Sequence, residues 1–243
     1  MFSVLDNLRK ITLAIYICIF ILTIFVILQL FVRADLPIKA ISIKGQYQHI
    51  EQDQVDLIAS DYIVGNFFSV DLSRTRNAFK RLTWVREASI RRNWPDTLEV
   101  TIEEHKAIAR WGKIGLVNNY GEIFNAATQE ELPIFFGQDQ HVKEITDKYV
   151  EMNKILGKEL MQVGTINLSE RLSWEITTNN QMRVILGKHK IINKLNLFTD
   201  NYQTILAELK NRIEYVDLRY KDGFAVKKLN ENSFIKTQEK STL

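Results

Sequence analysis

Histidine and acidic side chains are the groups in this sequence most suited to catalysis or metal binding. The chain contains four histidines in unrelated segments: His49, His105, His141 and His189. None has a carboxylate or thiol at the short spacing that recurring metal sites use. Nucleophile elbows, phosphate-binding loops and dinucleotide-binding glycine patterns are also missing from the sequence. We therefore predict no catalytic residue, no metal, no cofactor and no small-molecule substrate.

Glu103 and Glu104 are the adjacent acidic pair most easily mistaken for a general acid and base. They follow a run of alternating apolar and polar residues that is typical of a β-strand. Neighbouring residues of a strand point to opposite faces, so these carboxyl groups cannot converge on one substrate bond. We interpret the pair as a solvated strand end and expect a protein that is not an enzyme.

An uncharged apolar run from Ile11 to Val32 precedes the rest of the chain. As a helix it would be roughly 33 Å long, enough to cross a hydrocarbon layer of about 30 Å. In the following residues, 33–37, only Ala34 is small, which does not fit the small-residue exit of a signal-peptide cleavage site. The sequence predicts a retained transmembrane helix at 11–32.

Basic residues on the two sides of this run predict its orientation. Arg9 and Lys10 lie directly before it, whereas Arg33 after it is partly offset by Asp35. Positive charge favours the cytoplasmic side. We expect residues 1–10 in the cytoplasm and the remainder outside it.

The length and cysteine content of the chain predict how the exported part is organised. The chain has 243 residues, a net charge of +3 and a single cysteine, Cys18, inside the predicted span. The exported part exceeds the common domain size of about 100–150 residues, so we expect two domains, both without disulfides.

The basic and aromatic stretch at 81–94 could suggest nucleic acid, but its aromatic residues fit core and turn positions better, so no nucleic acid is expected. A polar, flexible tail is predicted at 229–243.

Periodicity in the first exported region predicts the order β-α-α-β-β. Its elements are a strand at 40–44, a helix from Gln52 to Gly65, a helix capped by Asp71 or Ser73, and strands at 85–91 and 97–103. The second region predicts several short strands, a helix at 142–155, a helix at about 190–210, and two final strands at 214–220 and 224–228. The final two strands flank a hairpin turn, Lys221-Asp222-Gly223.

Several motifs resemble a known family. Residues 65–71 (GNFFSVD), Trp84-Val85 and residues 91–104 (RRNWPDTLEVTIEE) resemble a POTRA domain, in particular that of the FtsQ/DivIB family. Residues 109–111, 116–118, Gly121, 173–174 and 215–226 (YVDLRYKDGFAV) resemble the β domain of that family. The chain departs from the family at Ala107, often a proline, and at Lys228, often a tryptophan.

The resemblance implies an α+β fold class with a single N-terminal transmembrane helix. After the helix it implies a POTRA-like domain at 36–105 and a β domain at 106–228, the latter a mixed α/β domain with a largely antiparallel sheet. The last strand would lie at the edge of its sheet, where unpaired backbone groups can receive a strand of another protein.

That edge is the predicted partner-binding site, and the resemblance implies FtsB of an FtsB–FtsL pair as its partner. The predicted residues are Arg171 on an adjacent strand, Leu218, Arg219, Tyr220, Asp222, Gly223, Phe224, Ala225 and Val226. For Leu218 and Val226, a core position is an equal expectation. Proline at Ala225 is expected to weaken binding without unfolding the domain.

A candidate second surface, for upstream division proteins or the membrane, comprises Arg86, Ser89, Ile90 and Arg91.

The expected function is a divisome scaffold in the inner membrane that links early and late division proteins. Its bulk would be periplasmic and concentrated at the septum. The alternative is an envelope-assembly or export accessory whose POTRA domain binds client polypeptides. An anchored hydrolase would need a catalytic constellation that the sequence does not contain.

Overall fold

The computed structural model describes residues 2–33, 37–45, 48–203, 213–220 and 223–228, and within the first helix it describes the side chains of residues 9, 11–27 and 29. Contacts divide the chain into two compact units, Met1–Glu104 and His105–Leu243. The predicted tail at 229–243 lies outside the described residues.

Helix α1 runs from Phe2 to Arg33 and includes the apolar run of the sequence. All of its described side chains are exposed. Among the residues that the structure describes, no helix is found that is long and apolar enough to cross a membrane. The transmembrane helix at 11–32 therefore stays a prediction.

The rest of the first unit confirms the predicted order β-α-α-β-β. Its elements are β1 (Ala40–Lys44), α2 (Gln52–Tyr62), α3 (Leu72–Phe79), β2 (Val85–Asn93) and β3 (Thr97–Glu104). The sheet order is β1-β3-β2, with β3 parallel to β1 and antiparallel to β2. The apolar stripes of the helices and one face of the sheet form a core that includes Val55, Phe79 and Val100.

The helix α3 begins where a carboxylate satisfies its free amide groups. Asp71 is the N-cap, and its side chain accepts a hydrogen bond from the Arg74 N–H at 2.9 Å. This selects Asp71 over Ser73, the other predicted cap.

Glu104 corrects the interpretation of the acidic pair. Its carboxylate accepts hydrogen bonds from the backbone N–H groups of Gln48 at 2.7 Å and His49 at 2.8 Å, and its side chain is 10 % exposed. Glu103 lies on the opposite face and pairs with Arg86 at 3.0 Å. The solvated strand end was therefore wrong for Glu104, which fixes the segment before α2.

Arg92, near the end of β2, holds the turn between α2 and α3. Its guanidinium donates hydrogen bonds to the carbonyl oxygens of Phe67 at 2.7 Å, Phe68 at 3.1 Å and Val70 at 3.0 Å. Charge-assisted bonds of this kind are stronger than neutral ones. Residues 66–70 are thus tied to the sheet by a side chain more than twenty residues away.

Arg92→Met is expected to loosen this turn, because it keeps the aliphatic stem and removes the three donors. A local loss of about 1–3 kcal/mol follows from leaving carbonyl groups without their partners. Hydrogen exchange at the Val70 amide, which bonds the Asn66 carbonyl at 3.1 Å, should accelerate accordingly. The neighbouring exposed Arg91→Met is the control and should leave that exchange unchanged; equal rates in the two variants would contradict the role of Arg92.

The described residues of the second unit form one nine-stranded sheet and two α-helices, α4 and α5. The elements are β4 (Ala107–Trp111), β5 (Gly115–Asn118), β6 (Ile123–Phe124), β7 (Ile134–Phe136), α4 (Val142–Leu156), β8 (Val163–Leu168), β9 (Trp174–Thr178), β10 (Arg183–Gly187), α5 (Ile191–Asn201), β11 (Ile213–Asp217) and β12 (Ala225–Lys228). The sheet order is β12-β11-β10-β9-β8-β7-β4-β5-β6. Three neighbouring pairs, β10–β11, β7–β8 and β4–β7, are parallel and the others antiparallel, which confirms a largely antiparallel sheet.

One strand of this unit was not predicted, and one helix is described only in part. Strand β7 has three residues and was missed, because so short a parallel strand carries no alternation to recognise. Helix α5 is observed as Ile191–Asn201, and residues 204–210 of the predicted helix lie outside the described residues.

An apolar row crosses this sheet from strand to strand and ends at β12. Its members are Trp111, Phe135, Ile166, Ile176, Val184, Val216 and Val226, each in register with the next. They share one core with side chains of α4 and α5, such as Met152 and Leu195. The first six side chains are buried and that of Val226 is partly buried, so the row is partly exposed to solvent only at its last member.

Candidate partner-binding edge

Strand β12 is the outermost strand at one end of the sheet within the described part of the chain. It pairs in antiparallel fashion with β11, with Ala225 opposite Asp217 and Val226 opposite Val216. Its second side has no neighbouring strand among the described residues. This is the edge that the sequence predicted.

Hydrogen bonding on the far side of β11 determines which backbone groups of β12 point outward. The Leu218 N–H donates to the Ile185 carbonyl on β10 at 2.8 Å. Backbone groups alternate along a strand, so those of Asp217 face β12. Asp217 and Ala225 therefore form a hydrogen-bonded pair, and the N–H and C=O of Val226 point away from the sheet.

This geometry corrects the expectation for proline at Ala225. The Ala225 N–H faces β11, so proline there would remove a bond of the domain's own ladder. Val226 is the position whose backbone amide points away from β11, and its side chain is the last in the apolar row.

The face of the sheet opposite α4 and α5 carries paired charges near the edge, among them Arg183 with Glu175 and Lys227 with Glu214. The guanidinium of Arg183 lies 5.1 Å from the Tyr215 ring centroid, and the Lys227 ammonium lies 5.6 Å from it. Lys227 Nζ also donates to a Glu214 carboxylate oxygen at 3.1 Å. These contacts hold the Lys227 side chain over β11, so the outer side of β12 is not crowded by it.

Asp217 and Arg219 form the best-satisfied ion pair near the edge. Arg219 Nε lies 2.9 and 3.0 Å from the two carboxylate oxygens, a terminal guanidinium nitrogen lies at 2.6 Å, and the Arg219 N–H donates at 3.0 Å. These bonds from Arg219 lower the pKa of Asp217, against the opposing effect of burial. The same contact raises the pKa of Arg219. The pair ends β11 at Asp217, earlier than the predicted Tyr220.

The stability of this end of the sheet should depend on pH through Asp217. Its folded-state pKa lies below the value of about 3.9 expected in the unfolded chain. The stabilisation is then complete above that value and is lost as pH falls through the lower folded-state pKa. We expect the thermal midpoint of the wild type to exceed that of Asp217→Asn at neutral pH, with the difference shrinking below about pH 4.

Circular dichroism melts of the two proteins between pH 3 and 7 measure this difference. A gap that stayed constant down to pH 3 would mean that the ion pair does not stabilise the folded state.

The other predicted partner residues near the edge occupy different environments. Leu218 is 2 % exposed and belongs to the core. Phe224 is partly buried and meets Phe198 edge-on, with ring centroids 6.5 Å apart. Tyr220 is exposed, and Gly223 is half-buried. Asp222 lies outside the described residues.

Arg171 is not on a strand adjacent to the edge, as predicted, but in the turn between β8 and β9. Strands β9 and β10 separate this turn from β11. The register still places the turn at the same end of the sheet as Asp217, because Trp174 pairs with Gly187 at the end of β10. Its exposed side chain therefore belongs to the same rim but not to the edge itself.

The candidate second surface lies on β2, an edge strand of the first unit's sheet. Arg86 pairs with Glu103, and Ile90 packs partly against the core. Ser89 is half-buried and Arg91 is exposed. This strand thus offers a second backbone edge, with Arg91 as its most accessible predicted side chain.

Asp217 is the residue of this site that sequence reasoning missed. The signal that could have revealed it is the spacing of Asp217 and Arg219 at the end of an alternating strand, where side chains two apart share a face. No group of three or more His, Cys, Asp or Glu side chains among the described residues could hold a metal ion.

Comparison with known proteins places this geometry in a family. Residues 109–219 match the model of the C-terminal region of cell division protein FtsQ/DivIB, and residues 36–105 match the FtsQ-type POTRA domain. The chain belongs to the FtsQ/DivIB family. It is 36 % identical over 197 residues to the cell division protein FtsQ of Nitrosospira multiformis, covering 79 % of this chain and 84 % of that protein.

Other FtsQ proteins are similar over the same extent. The FtsQ of Neisseria gonorrhoeae is 34 % identical over 193 residues, covering 79 % of this chain and 80 % of its own length. The FtsQ of Coxiella burnetii is 30 % identical over 194 residues, with the same coverage of the two chains. The chain is thus a cell division protein with an FtsQ-type POTRA domain, as the resemblance implied.

Proposed function

We propose that this FtsQ-family protein is a non-enzymatic scaffold of the division machinery that binds an FtsB–FtsL-like pair by strand addition to β12. The observation that carries the proposal is the direction of the Val226 backbone groups together with the partial burial of its side chain. Its backbone N–H and C=O point outward, and its partly buried side chain ends the apolar row of the sheet.

Strand addition would satisfy both features at once. An incoming strand would bond to the free backbone groups of β12, and its residue opposite Val226 would extend the apolar row by one member. Arg219 and Tyr220, exposed at the end of β11, and Arg171, exposed on the same rim, would give side-chain contacts. Affinity would come from the ladder and selectivity from these side chains.

The proposed organisation is a short cytoplasmic segment at 1–10, a membrane anchor at 11–32, the POTRA domain at 36–105, the β domain at 106–228 and a C-terminal tail at 229–243. Supporting the anchor are the absence of charge from Ile11 to Val32 and the exposed apolar side chains of α1. The protein would then lie in the inner membrane at the septum, with both domains in the periplasm. Strand β2 would contact upstream division proteins and so link early and late components.

A second candidate function is client binding during envelope assembly. The observation that favours it is the length of β2, whose nine residues form an edge strand of the POTRA sheet. An extended client polypeptide could pair with this edge instead of β12.

Depletion of the protein in cells separates these functions. Filaments without constrictions are expected for a division scaffold, whereas normal division with mislocalised envelope proteins would favour client binding. Capture of FtsB and FtsL by the full chain, compared with a variant truncated before Lys221, tests the site. Equal capture by both would exclude β12 as the binding edge.

A further inference from the structure

Three large apolar side chains stand exposed at one end of the POTRA domain. Trp94 is 75 % exposed, Val64 68 % and Phe68 50 %. Val64 and Phe68 lie in the connection between α2 and α3, and Trp94 lies in the turn between β2 and β3. We call these three residues the apolar tip.

The tip is held in place by hydrogen bonds. The Asn66 side-chain oxygen accepts from the backbone N–H groups of Phe68 at 3.0 Å and Ser69 at 2.8 Å. Phe67 is buried, and its ring meets that of Phe68 edge-on at 5.3 Å. The exposure of Phe68 is therefore built into the turn and does not reflect an unstructured loop.

Arg92 joins the two parts of the tip. Its three bonds to carbonyl groups of residues 67–70 connect the α2–α3 turn to β2. Trp94 follows Arg92 by two residues and stands on the same end of the sheet. The three apolar side chains thus belong to one rigid end of the domain.

The chain enters the domain at this same end. Pro37 forms a bridge with Asn66 in the first turn, and the Lys39 N–H donates to the Asp96 carbonyl beside the second turn at 2.9 Å. Four peptide units separate Arg33, the last residue of α1, from Pro37. They span at most about 15 Å. The apolar tip is thus close, along the chain, to the end of α1.

We infer that the apolar tip inserts into the headgroup region of the membrane in which α1 is anchored; this rests on the anchor proposed above. Tryptophan prefers the interface between water and lipid, and Val64 and Phe68 would lose contact with water there. Lys39 beside the tip pairs with the Asp96 carboxylate at 2.9 Å, so the attraction to the bilayer rests on the apolar side chains. The contact would fix the orientation of the POTRA domain on the bilayer at a second point besides its tether.

The test uses the full chain in liposomes of phosphatidylcholine and phosphatidylglycerol. Cys18→Ser removes the single native cysteine, and Trp94→Cys then carries one spin label. Two matched positions serve as controls: Leu57→Cys on α2 of the same domain, and Ile114→Cys in the second unit, where Ile114 is 77 % exposed. Collision rates with oxygen and with a neutral nickel chelate report lipid and water access at each label.

We expect the label at 94 to collide with oxygen, relative to nickel, several times more often than the labels at 57 and 114. Phe68→Cys should repeat the result if the insertion is a property of the tip. A label at 94 that behaves like the controls, in protein that floats with the liposomes, overturns the inference and leaves the anchor intact. Protein that does not float refutes the anchor, and with it the inference.

Native membranes distinguish lipid from a protein occupant. If the label at 94 is exposed to nickel in pure liposomes but shielded from both reagents in membranes that contain the division proteins, a protein covers the tip and the lipid contact is wrong. Lipid-like collision rates in both preparations support the inference.

Discussion

Val226→Pro is expected to lower the affinity for the FtsB–FtsL pair roughly fivefold to 150-fold, since an unmet backbone acceptor costs about 1–3 kcal/mol. The Val226 N–H points away from β11, so proline removes a donor that only a partner strand would use. Edge strands tolerate proline when the lost N–H faces outward. The variant should remain folded, and titration calorimetry with the purified pair measures the loss.

Two matched variants separate binding from folding. Val226→Thr keeps the backbone donor and the branched shape, so it should bind much more tightly than the proline variant. Ala225→Pro removes the N–H that faces Asp217, so it should lower the thermal midpoint of the second unit as well as the affinity. Wild-type affinity in a folded Val226→Pro protein would exclude strand addition at β12.

The contrast between Ala225 and Val226 shows how far the sequence could predict the site. Alternation and the Asp-Gly turn placed a final strand at 224–228, and the structure has it at Ala225–Lys228. Which amide points outward depends on how β11 pairs with β10, a parallel contact across some thirty residues of chain. Local patterns carry no information on that register, so the sequence could not predict that the amide of Val226, and not that of Ala225, points outward.

Long-range polar contacts could not be predicted either, because local sequence patterns do not show which distant residues become neighbours in the fold. Glu104 bonds to the amide groups of Gln48 and His49, and Arg92 bonds to carbonyl groups of residues 67–70. Each joins residues that are neighbours only after the sheet has formed. Asp71 shows the opposite case, because a cap and the helix it begins are adjacent in sequence and the residue could be predicted.

The position of Arg171 was mistaken because a turn of the sheet was interpreted as a strand. The side chain is exposed, and its turn lies at the end of the sheet where Asp217 and Arg219 meet. The sequence could therefore predict the rim to which Arg171 belongs but not its distance from the edge. Sheet order, with β9 and β10 between, sets that distance.

Gly45→Ala is expected to destabilise the POTRA domain by roughly 2–6 kcal/mol, adding about 1–3 for a strained backbone and about 1–3 for overpacking. Gly45 has a φ of +145°, and a Cβ there would overlap the carbonyl oxygen of Ile102 on β3. Backbone cannot move aside as a flexible side chain can. Such a loss is a large part of the stability of a small domain, about 5–15 kcal/mol.

The partner affinity of this variant should nevertheless equal that of the wild type, because β12 belongs to the other unit. Hydrogen exchange at Val100 in the POTRA core measures the destabilisation, and calorimetry with the FtsB–FtsL pair measures binding. Gly157→Ala is the control, since its φ is −59° and an added Cβ would meet nothing within 4 Å. If Gly45→Ala weakened binding as strongly as it destabilised the POTRA domain, the partner would depend on that domain, and client binding through β2 would become the better account of the function.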